Sequence, residues 1–249
     1  MLMLLPPSET KRPGGSGPAL DTTGWALPAL NPVRETVMDA LVALSADEDD
    51  AARVLKLSAR QRGDIAHNAA LRQTATMPAV DRYTGVLYDA LTTGGLDGPA
   101  RRWLARHVLI HSAPFGPIAA TDLIPAYRLA AGTSVPGLPP LRRVWADAVS
   151  SALAAAAPRV IVDLRSEAYA ALGPVPAEIP GAYVRVVTVA HGGRIRALNH
   201  FNKHAKGALV RTLATSRPRV NTLDGFVQWA ATAGVVLRPG APGELDLVV

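Results

Sequence analysis

The amino-acid sequence predicts a mixed α/β (α+β) fold in a single compact domain. Its 249 residues suffice for one large domain or two small ones, and 49% of them are hydrophobic, so a sizeable core can form. Helical and strand-like patterns alternate along the chain, which is typical of the mixed class. Because no linker, repeat or second apolar core interrupts them, we expect one domain over residues 1–249.

The first third of the chain predicts one strand, one long loop and several helices. The apolar run over residues 1–5 indicates a buried strand. Residues 6–32 are rich in proline and glycine, which predicts a mobile loop. Apolar residues then recur at helical spacing. The predicted helices cover residues 33–44, 47–57, 58–71 and 78–91.

The remainder of the chain predicts alternating helices and strands with one late hairpin. A strand over 108–110 is followed by a loop over 114–125, and a second strand covers 160–164. Strands over 183–189 and 194–198 form a hairpin about His191-Gly192-Gly193. Residues 244–249 predict a closing strand. The predicted helices are 99–106, 138–156, 201–215 and 223–233.

Several function classes are excluded by composition. The chain has no cysteine, which rules out disulfides, thiolate metal sites, cysteine nucleophiles and thiol redox sensing. Its apolar runs are too short for a signal peptide or a membrane span, so we expect a cytoplasmic protein without membrane contact. His200 and His204 have the spacing of helical metal ligands. They lack a third ligand, and the neighbouring lysines would repel a cation, so we expect no metal and no cofactor.

Positive charge is concentrated in one segment. The net charge is +6, and residues 179–223 contain eight basic side chains and no acidic one, whereas the rest of the chain has more acids than bases. This asymmetry suggests an anionic partner, with phosphate as the leading candidate. A solvated basic surface without a partner is the alternative. The basic residues of this segment are Arg185, Arg194, Arg196, Lys203, Lys206, Arg211, Arg217 and Arg219.

Two loops that follow predicted strands carry candidate phosphate-binding residues. Ser8 and Lys11 come shortly after the first strand, where α/β folds commonly place ligands, and Lys11 could meet a phosphate as a flexible point charge. Ser166 follows the strand over 160–164, at the start of a predicted helix. It could contact an anion there, or it could simply cap that helix.

A helix in the basic segment carries further candidates. Asn202, Lys203, Lys206 and Arg211 fall on the helix predicted over 201–215, and the lysine spacing would place basic groups on one face. Gly207 would allow a close backbone approach. Contact with phosphate is one interpretation of this face, and simple exposure to solvent is the other.

Residues 92–100 connect two predicted helices through a glycine-containing turn. This order is typical of a helix-hairpin-helix element, whose backbone N–H groups hold a phosphate without reading bases. An ordinary connection between two helices is the alternative.

Seven segments, in order, resemble the YaaA family of peroxide-stress proteins. The resemblance implies a bacterial cytoplasmic protein with an unusual mixed fold, a positively charged cleft, a helix-hairpin-helix-like element and DNA binding. It also adds Arg128 to the candidate phosphate-binding residues. The segments are LPPSETK (5–11), RYTGVLY (82–88), HSAPFG (111–116), DLIPAYRL (122–129), Trp145, DLRSEAY (163–169) and FNKHAKG (201–207).

The charge pattern and the resemblance together predict a DNA-binding protein of the peroxide-stress response. It would contact the backbone of duplex DNA, with distorted or damaged sites as candidate targets, and protection would be indirect because no peroxidatic thiol is present. The indirect routes are shielding or repair of DNA and a lowering of free iron. The alternative is an enzyme acting on a nucleotide or nucleic acid in the same cleft, with a small phosphate-bearing ligand. We favour the non-enzymatic interpretation, and the sequence identifies no catalytic residue.

Overall fold

The computed structural model describes residues 1–189, 195–197 and 199–249. The described residues form ten strands and ten α-helices, which confirms the mixed α/β class. The strands are β1 (Leu2–Leu5), β2 (Met77–Pro78), β3 (Val108–Ser112), β4 (Gly116–Ala119), β5 (Leu123–Ile124), β6 (Ile161–Asp163), β7 (Gly181–Val189), β8 (Ile195–Ala197), β9 (Leu237–Pro239) and β10 (Glu244–Val248). The helices are α1 (Asn31–Leu44), α2 (Glu48–Val54), α3 (Asp64–Ala69), α4 (Ala79–Arg82), α5 (Val86–Leu91), α6 (Gly98–His107), α7 (Leu141–Ala156), α8 (Glu167–Ala170), α9 (Asn199–Ser216) and α10 (Leu223–Thr232).

A largely parallel sheet organises the molecule. Its strand order is β4-β3-β1-β6-β7-β10-β9, with β8 paired to β7. The neighbours from β3 through β10 are parallel, so their carboxyl ends lie along one side, which we call the carboxyl edge. There β1 ends at Leu5, β3 at Ser112 and β6 at Asp163. Parallel α/β sheets usually bind ligands at this edge.

The central strands are buried on both faces. All residues of β3 and β6 are buried, and so are the last three of β1, which explains why each of these strands begins as an apolar run without polar alternation. Helix α6 packs on β1, α7 on β4 and α9 on β7. The buried apolar side chains form one continuous cluster. Among the described residues, no helix combines the length and apolarity needed to cross a membrane.

The helix expected over residues 78–91 is interrupted, so that prediction was wrong in its continuity. Helix α4 ends at Arg82 and α5 begins at Val86. Between them, Tyr83 is extended and makes an antiparallel bridge with Lys11, and Gly85 has a φ of 95°. A positive φ of this kind favours glycine, and the bridge to a distant segment overrides the local helical pattern.

Two further strands were not predicted, because their segment contains proline and glycine. The segment expected to be a loop over 114–125 contains β4 and β5, and β4 pairs antiparallel with β3. Its first residue, Gly116, has a φ of 62°, and a Cβ there would lie 2.8 Å from the Trp145 ring. Strand β9, also unexpected, pairs with β10.

The late hairpin is present as an antiparallel pair of strands. Val187 is opposite Ala197 and Thr188 is opposite Arg196, as the sequence predicts for β7 and β8. The turn expected about His191-Gly192-Gly193, together with Arg194, lies outside the described residues.

Buried contacts hold the segment that follows β1. The guanidinium of Arg82 donates to the carbonyl oxygens of Arg12 and Gly14, and Trp25 is buried. The mobility expected for residues 6–32 stays a prediction, and any such motion would have to break these contacts.

Candidate functional site: a cationic cleft at the carboxyl edge

Lys11 is held at the carboxyl edge by backbone acceptors and aromatic rings. Its Nζ donates to the carbonyl oxygens of Ser8 at 2.9 Å and Glu9 at 3.2 Å. The same atom lies 4.0 Å from the centre of the Tyr127 ring and 5.6 Å from that of Tyr83, both within cation–π range. The ammonium group is therefore fixed in position.

Arg128 stands beside Lys11. Its Nη1 approaches the Glu9 carbonyl oxygen at 3.5 Å, so the two cations share one acceptor. Its backbone is fixed by Asn68, whose amide accepts from the Arg128 N–H at 2.7 Å and donates to the Arg128 carbonyl. The guanidinium is 3.5 Å from the Glu9 carboxylate and 3.8 Å from that of Asp64. These long ion pairs leave N–H donors of Arg128 available.

A cleft of about 600 Å³ opens in front of these two cations. Four basic side chains and one carboxylate line it, together with apolar residues of α2 and the loop after Arg128. We call it the Lys11–Arg128 cleft. Its charged lining residues are Glu9, Lys11, Arg53, Lys56 and Arg128.

The pKa of Lys11 is lowered to about 7, first by burial and then by the positive charge of Arg128. The carboxylates of Asp64 and Glu9 oppose this shift only in part. Burial also raises the pKa values of Tyr83 and Tyr127, whose hydroxyls are 2.8 Å apart, so both phenols remain protonated. The cleft therefore presents an amine that can exchange a proton near neutral pH.

A second polar cluster lies under the carboxyl edge. Arg165, fully buried, donates from Nε and Nη2 to the two oxygens of Asp163 at 2.9 and 2.6 Å. Its Nη1 donates to His111 Nδ1 at 2.8 Å. Burial, followed by the nearby Arg165 charge, lowers the pKa of His111 well below its usual value. His111 is therefore neutral with its proton on Nε2, an atom without a hydrogen-bond partner in the described residues.

Lys206 joins this second cluster rather than the protein surface. It is 4% exposed, and its Nζ is 3.4 Å from the Arg165 carbonyl oxygen and 5.3 Å from the Tyr183 ring centre. Burial lowers its pKa to about 8, whereas the Asp163 carboxylate acts in the opposite direction. Lys203 is exposed. The basic face expected to display both lysines is absent, because α9 buries the Lys206 side.

Gly207 does provide a close backbone approach, and the partner is another helix. A Cβ on Gly207 would lie 2.1 Å from the carbonyl oxygen of Leu87 and 3.0 Å from the Cβ of Ala90. The residue therefore lets α9 pack directly on α5.

The other sequence-predicted residues lie outside the cleft lining. Ser8 is partly exposed, with its Oγ 3.3 Å from Thr10 Oγ1, and its carbonyl holds Lys11. Ser166 precedes α8 and is exposed, but its side chain makes no capping hydrogen bond. Asn202 has a buried Oδ1 without a partner in the described part of the chain. Of the eight candidates, the lining of the cleft includes Lys11 and Arg128.

Arg211 lies at the connection expected to form a helix-hairpin-helix. Its Nη1 donates to the carbonyl oxygens of Leu91 and Thr92 at 3.1 and 3.0 Å, at the end of α5. These are carbonyls that a helix leaves without partners. The helix–turn–helix order over residues 86–107 is present, and a phosphate-binding role for this turn stays a prediction.

The basic segment 179–223 meets acidic residues from elsewhere in the chain. Arg185 forms ion pairs with Glu244 at 2.6 Å and Glu167 at 3.3 Å, and Arg217 lies 3.7 Å from Asp97. Folding thus neutralises charge that appears uncompensated along the sequence.

Some contributors to the site were not among the predicted site residues. Tyr83 and Tyr127 form the aromatic surface under Lys11, and Arg53 and Lys56 line the cleft from α2 and the residues after it. The tyrosines lie in segments that resemble the family, which was the available signal. No local pattern singles out Arg53 or Lys56. Within the ranges the structure describes, no three His, Asp or Glu side chains stand close enough to hold a metal ion.

The fold and the site define an α/β protein with a cleft, lined by four basic side chains and one carboxylate, beside the carboxyl edge of a parallel sheet. Residues 1–232 match the family model described as peroxide stress protein YaaA. The chain is 44% identical to a UPF0246 protein of Corynebacterium efficiens over the full length of both, and 43% identical to one of Streptomyces coelicolor over 100% of this chain and 98% of that protein. The chain therefore belongs to the YaaA family of peroxide stress proteins.

Proposed function

We propose that this peroxide stress protein binds duplex DNA and that the Lys11–Arg128 cleft contacts the phosphate backbone. The observation that carries the proposal is the shared Glu9 carbonyl, which keeps Lys11 and Arg128 adjacent in a cleft where basic side chains outnumber acidic ones. Arginine forms paired hydrogen bonds with phosphate oxygens, and lysine adds a point charge.

Protection against peroxide would then be indirect. With no cysteine, the chain has no thiol to reduce peroxide, so the proposed route is the covering of DNA or support for its repair. Backbone contact suits this role because phosphate contacts carry no sequence information, so the protein could cover DNA of any sequence.

Gel shifts with a labelled duplex over a salt series test the proposal. Binding should weaken as salt rises, with a linear dependence of log affinity on log salt, since bound cations release counterions from DNA. Two duplexes of unrelated sequence should behave alike. Absence of any shift at low salt would refute DNA binding.

An enzyme acting on a nucleotide is the second candidate. The cleft volume of about 600 Å³ lies within the usual range for small-ligand pockets, and Lys11 has a pKa of about 7, close to that of an effective general base. Calorimetric titration with nucleoside mono-, di- and triphosphates tests this candidate. Saturable binding that Lys11→Met abolishes would support it, and no heat with any of them would count against it.

A further inference from the structure

Lys11 occupies a different environment from the other three lysines of the chain. It lines the cleft, and backbone acceptors and the Tyr127 ring fix its amine. Lys56 and Lys203 are exposed. Lys206 is buried, but its amine lies against the Arg165 carbonyl and the Tyr183 ring and is not part of the cleft lining. Lys11 alone in this set combines a shielded amine with access to a ligand-sized cleft.

This environment suits an amine nucleophile. A lysine attacks a carbonyl only when it is unprotonated, and burial together with Arg128 lowers the pKa of Lys11 to about 7. The charged groups that act on this amine are the cations Arg128 and Arg82 and the carboxylates Asp64 and Glu9. The phenols of Tyr83 and Tyr127 stay protonated, so they add no charge.

We propose that Lys11 forms an imine with the aldehyde of a phosphorylated sugar whose phosphate is held by Arg128. The Nζ lone pair would attack the carbonyl carbon, and the π electrons would move to the oxygen. That oxygen would then leave as water with the two protons of the neutral amine, leaving a C=N bond. The reaction needs no oxidant or reductant. The proposal rests on the proposed binding of phosphate in the cleft.

Two sources share this ligand chemistry. A DNA site that has lost its base exposes a sugar aldehyde flanked by phosphates, and oxidative damage generates such sites. Free deoxyribose 5-phosphate carries the same groups in a small molecule. Arg128 and Lys11 are neighbours at the Glu9 carbonyl, so a phosphate on one and an aldehyde on the other would belong to a single compact ligand.

Borohydride trapping tests the proposal on the full chain. The protein is incubated with a duplex containing one abasic site, or with deoxyribose 5-phosphate, and sodium borohydride then reduces any imine to a stable amine. We expect a covalent adduct, and peptide mapping should place it on Lys11. Lys11→Arg keeps the charge but should abolish the adduct, whereas Lys203→Arg, at an exposed lysine outside the cleft lining, should retain it. A melting curve checks that each variant is folded.

The outcomes separate the two sources and the two proposals. An adduct with the abasic duplex identifies damaged DNA as the ligand, and an adduct with the sugar phosphate alone identifies the small molecule; either supports the imine. No adduct with either probe, or adducts mainly on Lys56, Lys203 or Lys206, would overturn it. Mapping on the wild-type protein decides this even if Lys11→Arg fails to fold. A native gel with the same duplex and no borohydride reports DNA binding separately, so binding without an adduct refutes only the imine.

Discussion

Two regions of this protein are rich in positive charge, and they use it differently. Residues 179–223 contain eight basic side chains and no acid, yet Arg185 and Arg217 pair with acids from other segments, and Lys206 is buried near Asp163. The basic residues that line the Lys11–Arg128 cleft come from distant parts of the sequence. A single carboxylate, that of Glu9, lines the cleft with them. Charge density along the chain is therefore a poor guide to charge density in space.

Under the proposed function, the charges near Lys206 have a structural role and those in the cleft have a binding role. The largest expected effect comes from breaking the buried ion pair between Arg165 and Asp163, which lies near Lys206. Asp163→Ala leaves the fully buried Arg165 without its carboxylate, which should lower the free energy of unfolding by about 3–5 kcal/mol. Urea denaturation measures this change.

The matched control for that variant is an exposed pair. Glu167→Ala removes an exposed partner of Arg185 and should cost less than about 1 kcal/mol. Equal, small losses of unfolding free energy for Asp163→Ala and Glu167→Ala would show that the buried pair stabilises the fold no more than an exposed pair does.

The next effect concerns the packing of α9, which carries much of the basic segment. Gly207→Ala places a Cβ 2.1 Å from the Leu87 carbonyl oxygen, so the helices must separate, at a cost of about 1–3 kcal/mol in unfolding free energy. Gly63→Ala, where a Cβ meets no atom within 4 Å, is the control. If thermal unfolding is unchanged by Gly207→Ala, the close approach of α9 to α5 is not as described.

A further effect should appear in the pH dependence of stability. Since the pKa of Lys11 falls from 10.5 to about 7 on folding, the unfolded chain binds more protons between these values, and stability from this group rises with pH across that window. Below about pH 7 the cost of burying its charge is fully present. The unfolding free energy of the wild type minus that of Lys11→Met should therefore increase from pH 6.5 to pH 9.5. A pH-independent difference for Lys11→Met would mean that its amine titrates as it does in water.

Much of the fold could be predicted because it follows from local patterns. The apolar runs of β1 and β6 are long enough to read as buried strands, and α1 shows a clear helical stripe. The break between α4 and α5 could not be predicted, because the bridge from Tyr83 to Lys11 joins segments far apart in the chain.

The candidate site was predicted only in part, for the same reason. Lys11 and Arg128 were both named, but their adjacency depends on Glu9 and Asn68, which no local pattern connects. The burial of Lys206 could not be inferred either, since it depends on how α9 packs over Asp163 and Tyr183. Sequence patterns report one element at a time, whereas a site is assembled by contacts between elements.

The central claim, that the cleft rather than the basic segment meets phosphate, is tested most directly by comparing one cation from each region. Fluorescence anisotropy with a labelled duplex over a salt series gives the affinity of Arg128→Ala and of Lys203→Ala. Arg128→Ala should weaken binding and lower the slope of log affinity against log salt by about 1, the loss of one phosphate contact. Lys203→Ala should leave affinity and slope unchanged. The opposite result, a reduced slope for Lys203→Ala and none for Arg128→Ala, would contradict the claim and place the DNA on the basic segment.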